Sequence, residues 1–261
     1  MKPALRLLML AAFFTFTGCV TLYKPNVIHS PLLKEKGELN AAGSLGLSGS
    51  GVYNLQAAYA VGNHTGLVIN GMNHSRKLTN GDGSVEKLNI LFGEAGVGYF
   101  TTFDGKKNGL FQIYSGTGYG HTQDKLENAT QPYPQVRANF FNVFIQPGMA
   151  ITNKNFQFAF DVRANYVRIF DIQAFLYEKF EWWNTDFKYY ENTSVYFINY
   201  EPTLTMKAGG KNLKATTQFG LTIPSVNPQA YFMVNRSAMF GIPLIKFSVG
   251  LSYSFPTKKS N

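Results

Sequence analysis

Long runs of alternating apolar and polar residues fill the chain from Glu38 to Phe255 and restrict it to an all-β fold. In the clearest run, Asn155–Val167, every even position from 156 to 166 is apolar and most odd positions are polar. A period of two places successive side chains on opposite faces of a strand. Many runs exceed ten residues, whereas strands of soluble proteins have about five or six. The ten predicted strands are approximately 38–48, 51–61, 65–77, 87–103, 108–121, 137–152, 155–169, 194–207, 211–222 and 245–255.

The segments between the predicted strands alternate in length. The second, fourth, sixth and eighth strands are followed by tight turns, and only the first hairpin breaks this order. Short turns at one rim and long loops at the other are typical of outer-membrane barrels, whose short turns face the periplasm. We therefore expect an antiparallel, transmembrane up-and-down β-barrel of about ten strands, with eight to twelve possible. The long links are approximately 78–86, 122–136, 170–193 and 223–244.

Most charged residues within the predicted strands lie on the polar face. An Arg or Lys that faced the middle of a bilayer would cost about 2–4 kcal/mol, so lipid would enforce this sorting, although an apolar core would also do so. Ten strands enclose little more than side chains, and charges inside must be paired. A closed, hydrogen-bonded lumen is therefore predicted, with a narrow polar pore as the alternative. The expected lumen network contains Glu94, Asp161, Arg163, Glu201, Lys207 and Lys214.

The N-terminus has the pattern of an export signal. Two positive charges precede the apolar stretch Leu7–Phe16, which is too short to span a bilayer as a helix. The segment Phe16–Cys19 resembles the lipobox of bacterial lipoproteins, in which the cysteine is acylated with diacylglycerol and fatty acids such as palmitate. This is the chain's single cysteine, so it has no internal disulfide partner. The resemblance implies a signal peptide at 1–18, lipidation of Cys19 and a lipidated periplasmic tether at 19–37.

The last predicted strand carries a second resemblance. The pattern Ser248-x-Gly250-x-x-Tyr253-x-Phe255 is similar to the C-terminal β-signal of outer-membrane proteins and precedes a short tail at 256–261. The chain thus resembles the small outer-membrane β-barrel proteins of Gram-negative bacteria, in lipoprotein form, with the barrel at 38–255. The resemblance implies contact with outer-membrane lipids and a periplasmic anchor. It also implies handling by the barrel-assembly and lipoprotein-sorting machinery during biogenesis.

The sequence lacks the residue patterns of two known classes of outer-membrane barrel enzymes. Lipid A deacylase barrels present a His and a Ser two residues apart, whereas His74 and Ser75 are adjacent and therefore on opposite faces. The Asp-x-His pair of omptin proteases does not occur in the sequence. We expect no enzyme, no cofactor and no metal. Three alternatives stay open: a small-solute channel, a lipid A or phospholipid-modifying enzyme, and a soluble periplasmic lipoprotein with an apolar pocket.

The most aromatic stretch lies in a predicted long loop. Phe175–Tyr190 contains both tryptophans of the chain, and exposed aromatic clusters often mark binding surfaces. A segment folded over the barrel mouth is the alternative. We therefore expect a structural or surface-interaction role toward an unidentified extracellular ligand. The formal charge of +9 is not gathered into a basic stripe, so no nucleic-acid partner is expected. The predicted binding surface comprises Tyr177, Phe180, Trp182 and Trp183.

Overall fold

The computed structural model describes most of the chain from Tyr23 onward. It covers residues 23–46, 51–79, 81, 83–103, 108–127, 135–181, 184–226 and 245–255. Only the backbone is described for 126, 174–181, 184–193 and 226. The strands are β1 Leu39–Gly46, β2 Val52–Ala60, β3 Thr65–Thr79, β4 Val85–Thr102, β5 Gly109–Glu127, β6 Gln135–Thr152, β7 Phe156–Glu181, β8 Asn184–Gly209, β9 Leu213–Leu221, β10 Ile223–Val226 and β11 Ile245–Phe255.

These strands close into one antiparallel barrel. Each strand from β1 to β8 pairs with the next, β9 joins β8 to β11, and β11 pairs with β1. β9 and β10 continue each other along β8, because Gly220 lies opposite Thr203 and Ile223 lies opposite Tyr200 in one register. The ring therefore has ten strands, which confirms the predicted fold class. Ring closure gives every strand a hydrogen-bonded neighbour on each side near the tight turns, whereas the far ends of β7 and β8 pair only with each other among the described residues.

The wall of the barrel is uneven in height. β1 and β2 have 8 and 9 residues, β4 to β6 have 18 or 19, and β7 and β8 have 26 each. The long loop predicted at 170–193 is therefore largely a continued β-hairpin. A register shift between Ile169 and Ile172, with Asp171 at φ 52°, explains the difference. The extra residue breaks the period of two, so the alternating sequence pattern ends there although the strand continues.

The outer surface of the barrel is apolar, unlike that of a soluble protein, whereas the lumen holds polar residues together with clusters of apolar ones. Large apolar residues face outward, as in Leu55, Ile69 and Ile151, which are 74%, 62% and 69% exposed. Polar residues face inward, as in Gln112 and Asp161, which are both fully buried. This orientation argues against the alternative of a soluble lipoprotein with an apolar pocket. Among the described residues, no helix is long and apolar enough to cross a membrane.

The outward apolar residues form a band that starts at the rim with the tight turns. On β6 the band runs from Ile151 to Phe141, and the outward residues beyond it are Asn139, Arg137 and Gln135. Ten residues with a rise of about 3.4 Å and a tilt near 40° span about 26 Å, close to the apolar height of membrane barrels. We call the polar residues beyond the band the collar. The collar lies toward the long loops.

Candidate functional site in the barrel lumen

An extended stretch of the N-terminal chain, Tyr23–Leu33, lies inside the barrel and is called the plug. It forms no strand of its own. Tyr23, Ile28 and Leu33 are only 2%, 1% and 1% exposed, and the polar residues His29 and Ser30 are buried as well. This differs from the expectation of a periplasmic tether at 19–37. Burial is favoured because the plug carries apolar side chains that water would not solvate well.

The two ends of the plug lie at different heights in the barrel. The ring of Tyr23 packs edge-on against Phe140 and Phe197, with centroids 5.2 and 5.8 Å apart, within an apolar cluster toward the long loops. Leu33 lies in a second cluster, with Ala60 and Phe100 at the tight-turn rim. The plug therefore crosses the lumen from the long-loop half to the tight turns.

The wall holds the plug mainly by its backbone. Four consecutive carbonyl oxygens of the plug each accept a hydrogen bond from a different wall strand: Val27 from Gln56 on β2 at 2.7 Å, Ile28 from Gln218 on β9 at 2.7 Å, His29 from Gln146 on β6 at 2.8 Å, and Ser30 from Lys207 on β8 at 2.7 Å. These bonds satisfy groups that burial would otherwise leave without water, which is costly. Contacts to carbonyls depend on the extended path of the chain rather than on its side chains.

A layer of charges lies beside the plug at mid-height. Arg163 donates to both carboxylate oxygens of Glu94, at 3.0 and 3.1 Å, and to Gln146 Oε1, at 2.8 and 3.1 Å. Its guanidinium also stacks 4.3 Å from the centre of the Phe144 ring. The side chains of Arg163 and Glu94 are 2% and 0% exposed. Such a pair is stable inside a protein only when each charge is matched, as it is here.

Glu201 and Asp161 find partners outside the expected network. Glu201 accepts a hydrogen bond from Lys246 Nζ at 2.7 Å. Asp161 accepts from Gln112 Nε2 at 2.9 Å and from the hydroxyl of Ser30 in the plug. The carboxylate of Asp161 therefore ties the wall to the plug.

Lys214 is separate from the rest of this network. Its ammonium group donates to the backbone carbonyls of Gly210 and Lys211, at 2.7 and 3.0 Å, in the tight turn that precedes β9. Of the six predicted lumen residues, the structure joins Glu94 directly to Arg163, and places Asp161 and Lys207 on Ser30 of the plug. Glu201 pairs with Lys246 instead.

Small residues on the inner wall leave space for this layer. A methyl group at Gly118 would lie 2.5 Å from Asn142 Oδ1, and one at Gly148 would collide with the Asp161 carboxylate. At the lower end, a methyl group at Gly66 would come within 3.0 Å of Leu33 in the plug. The inward glycines therefore leave the space that the polar side chains and the plug occupy.

A second polar cluster lies on the long-loop side of the apolar band, where the inner wall of β5 extends beyond the band. Arg76 and Glu86 form an ion pair there. Asp124 is 2% exposed, and neither of its carboxylate oxygens has a hydrogen-bond partner in the described structure. Burial, reinforced by the nearby Glu86 and opposed by Arg76, raises the pKa of Asp124 to about 7. Across the described residues, no group of three or more His, Cys, Asp or Glu could hold a metal ion.

Other predicted site residues fall outside the described part or stand apart. Cys19, Trp182 and Trp183 lie outside the described residues, as do the side chains of Tyr177 and Phe180. His74 is buried while Ser75 is exposed, as expected for opposite faces of β3.

Sequence reasoning missed the plug because the plug has no periodic pattern. The amino-acid composition of the predicted tether nevertheless indicated burial. A chain that stays in water is usually polar, whereas this segment contains Tyr23, Val27, Ile28, Leu32 and Leu33 within eleven residues. That apolar content identifies a segment that needs a place to be buried, although it does not say where.

Comparison with known proteins adds little to this description. No family model matches the chain, and no curated protein matches it. Among solved structures, the CarO protein of Acinetobacter baumannii is 10% identical to this chain. The alignment covers 87% of this chain and 100% of the CarO chain, at a TM-score of 0.29. Outer-membrane expressed OmpT of Vibrio cholerae is 11% identical. That alignment covers 84% of this chain and 96% of the OmpT chain, at a TM-score of 0.23. Similarities this weak carry no functional argument.

Proposed function

We propose that this chain is an integral outer-membrane β-barrel lipoprotein, acylated at Cys19, with a lumen closed by its own plug and a structural or surface-interaction role. The observation that carries the proposal is the outward apolar band on a closed ring of ten strands. A closed ring satisfies every backbone group in lipid, and a band about 26 Å high matches the hydrocarbon layer. In water such a band would associate with other molecules.

The plug supports a closed barrel over a narrow solute channel. Its side chains and its backbone occupy the lumen, and wall residues on four strands bind consecutive carbonyls. The long β7–β8 hairpin and the polar collar are the parts that would reach an extracellular ligand. The barrel-assembly and lipoprotein-sorting machinery stay the expected partners during biogenesis. Catalysis is not part of the proposal.

Fractionation of a Cys19→Ser variant tests the membrane assignment. We expect this variant to remain in the outer membrane, to resist extraction with salt and alkali, and to migrate faster on gels before heating than after it. Folded membrane barrels keep their compact shape in detergent, which explains the difference in mobility. Release of the variant into the periplasm would show that the acyl chain alone holds the protein and would overturn the proposal.

Conductance in planar bilayers tests the closed lumen. We expect the folded wild-type barrel to give no stepwise current, and a variant that lacks residues 23–33 but still folds to conduct. Steps in the wild type would support the channel alternative instead.

Mass spectrometry of lipid A tests the enzyme alternative. The mass of lipid A should be the same in cells with and without the protein. A shift would support the enzyme alternative.

A further inference from the structure

The direction of the plug decides on which side of the membrane the N-terminus lies. We infer that the plug enters the barrel from the long-loop side, so that residues before Tyr23 emerge there, while β1 starts at the opposite rim. This inference rests on the proposed membrane insertion. It places the anchor at Cys19 beside the long loops, not in the periplasm as the sequence resemblance implied.

The height of Tyr23 in the barrel follows from its wall contacts. Phe140 lies twelve residues from Thr152, where β6 ends at the tight turns, and Phe197 lies twelve residues from Gly209, where β8 ends. Twelve residues with a rise of about 3.4 Å and a tilt near 40° correspond to about 31 Å. Tyr23 is therefore level with the edge of the band that faces the long loops.

The plug carbonyls from Val27 to Ser30 contact the wall below Tyr23, at residues that lie two to six positions from the lower ends of their strands. His29 binds Gln146, six residues from the lower end of β6. Ser30 binds Lys207, two residues from the lower end of β8. The eleven residues of the plug can span at most about 35 Å, and the descent uses most of that length. The plug is thus a single extended pass that does not fold back.

A turn at the lower rim reverses the chain into β1. Gly37 has φ 85°, a conformation that glycine adopts easily, and its amide donates to the carbonyl of Ala60 at 2.8 Å. Glu38 accepts a hydrogen bond from the Lys34 amide at 2.5 Å and bridges the turn. The next residue, Leu39, begins the upward path of β1.

Chain length excludes the opposite arrangement. Four peptide units separate Cys19 from Tyr23 and reach at most about 14 Å. The tight-turn rim is about 31 Å below Tyr23, and the plug already occupies the path. An acyl chain on Cys19 can therefore enter only the leaflet near the long loops. The described wall is shortest at β1 and β2.

Labelling of single cysteines in intact cells tests this topology. The variants carry Thr21→Cys, Gly81→Cys on the long-loop side or Lys211→Cys in a tight turn. Residues 1–19 are replaced by a cleavable export signal that contains no cysteine. A membrane-impermeant maleimide should label the cysteines at 21 and 81 in intact cells, but the cysteine at 211 only after permeabilisation. A heat-modifiable gel shift selects the variants that fold.

The two control positions separate failure of the inference from failure of the proposed function. If Gly81→Cys reacts from outside and Lys211→Cys does not, the barrel is oriented as proposed. Labelling of Thr21→Cys only after permeabilisation, or only after unfolding, would then overturn the inference alone. If Lys211→Cys reacts from outside, or no variant folds as a membrane barrel, the proposed function itself is contradicted.

Discussion

Replacing Arg163 by methionine removes the cation from the charged layer and keeps a side chain of similar length. Arg163 lies on β7 and donates two hydrogen bonds to Glu94 on β4 and two to Gln146 on β6. The loss leaves the Glu94 carboxylate buried, and among the described residues only the Asn70 amide, at 2.8 Å, still donates to it. Water has little access, since the Glu94 side chain is 0% exposed.

The size of the effect follows from this burial. Removing one partner of a buried ion pair costs about 3–5 kcal/mol, and leaving a buried amide oxygen such as that of Gln146 without a donor costs about 1–3 kcal/mol more. We therefore expect Arg163→Met to lower the free energy of unfolding by at least about 4 kcal/mol. Adding Glu94→Gln neutralises the stranded carboxylate, so the double variant should regain about 2 kcal/mol.

Urea unfolding in lipid vesicles measures both changes. The fraction of folded barrel is read from its heat-modifiable gel mobility, and an unchanged slope shows that stability alone has changed. The reasoning fails if the Arg163→Met and Glu94→Gln effects add within about 0.5 kcal/mol, because independent residues behave in that way. It also fails if Arg163→Met is neutral, since the pair would then not be buried in the folded barrel.

Three further changes have defined outcomes in the same unfolding assay. Gly148→Ala should cost about 1–3 kcal/mol, because the new methyl group would collide with the carboxylate of Asp161. Ile145→Arg, at the middle of the outward band, should cost about 2–4 kcal/mol, whereas Gln135→Arg in the collar should cost at most about 1 kcal/mol. Asp124→Asn should stabilise the barrel at pH 8 by up to about 4 kcal/mol and have little effect below pH 4.

The sign of the last effect follows from the raised pKa of Asp124, about 7 against an ordinary value of 3.8. Between these values the unfolded chain is ionised while the folded barrel holds the proton, so wild-type stability falls as pH rises from about 4 to 7. An asparagine does not titrate. Equal pH profiles for Asp124→Asn and wild type would contradict this account.

For Gly148→Ala the control is Gly81→Ala, where a methyl group meets nothing within 4 Å.

The alternation of residue types determined the barrel and the contents of its two faces. Each of the ten runs found in the sequence corresponds to a strand of the ring, because a wall in contact with lipid requires apolar side chains at every outward position. The same pattern placed Asp161, Arg163 and Glu201 in the lumen. Pairing across the lumen was not predictable, since Glu201 meets Lys246 only after the ring has closed.

Only the tertiary structure decided what fills the lumen. The plug has no periodic pattern, and its contacts come from residues on β2, β6, β8 and β9 that lie between 29 and 190 positions away along the chain. The sequence by itself determined a barrel with a polar interior and indicated a short apolar segment before it. Which side that segment enters depends on long-range hydrogen bonds to its backbone, and backbone groups are the same for every residue type except proline.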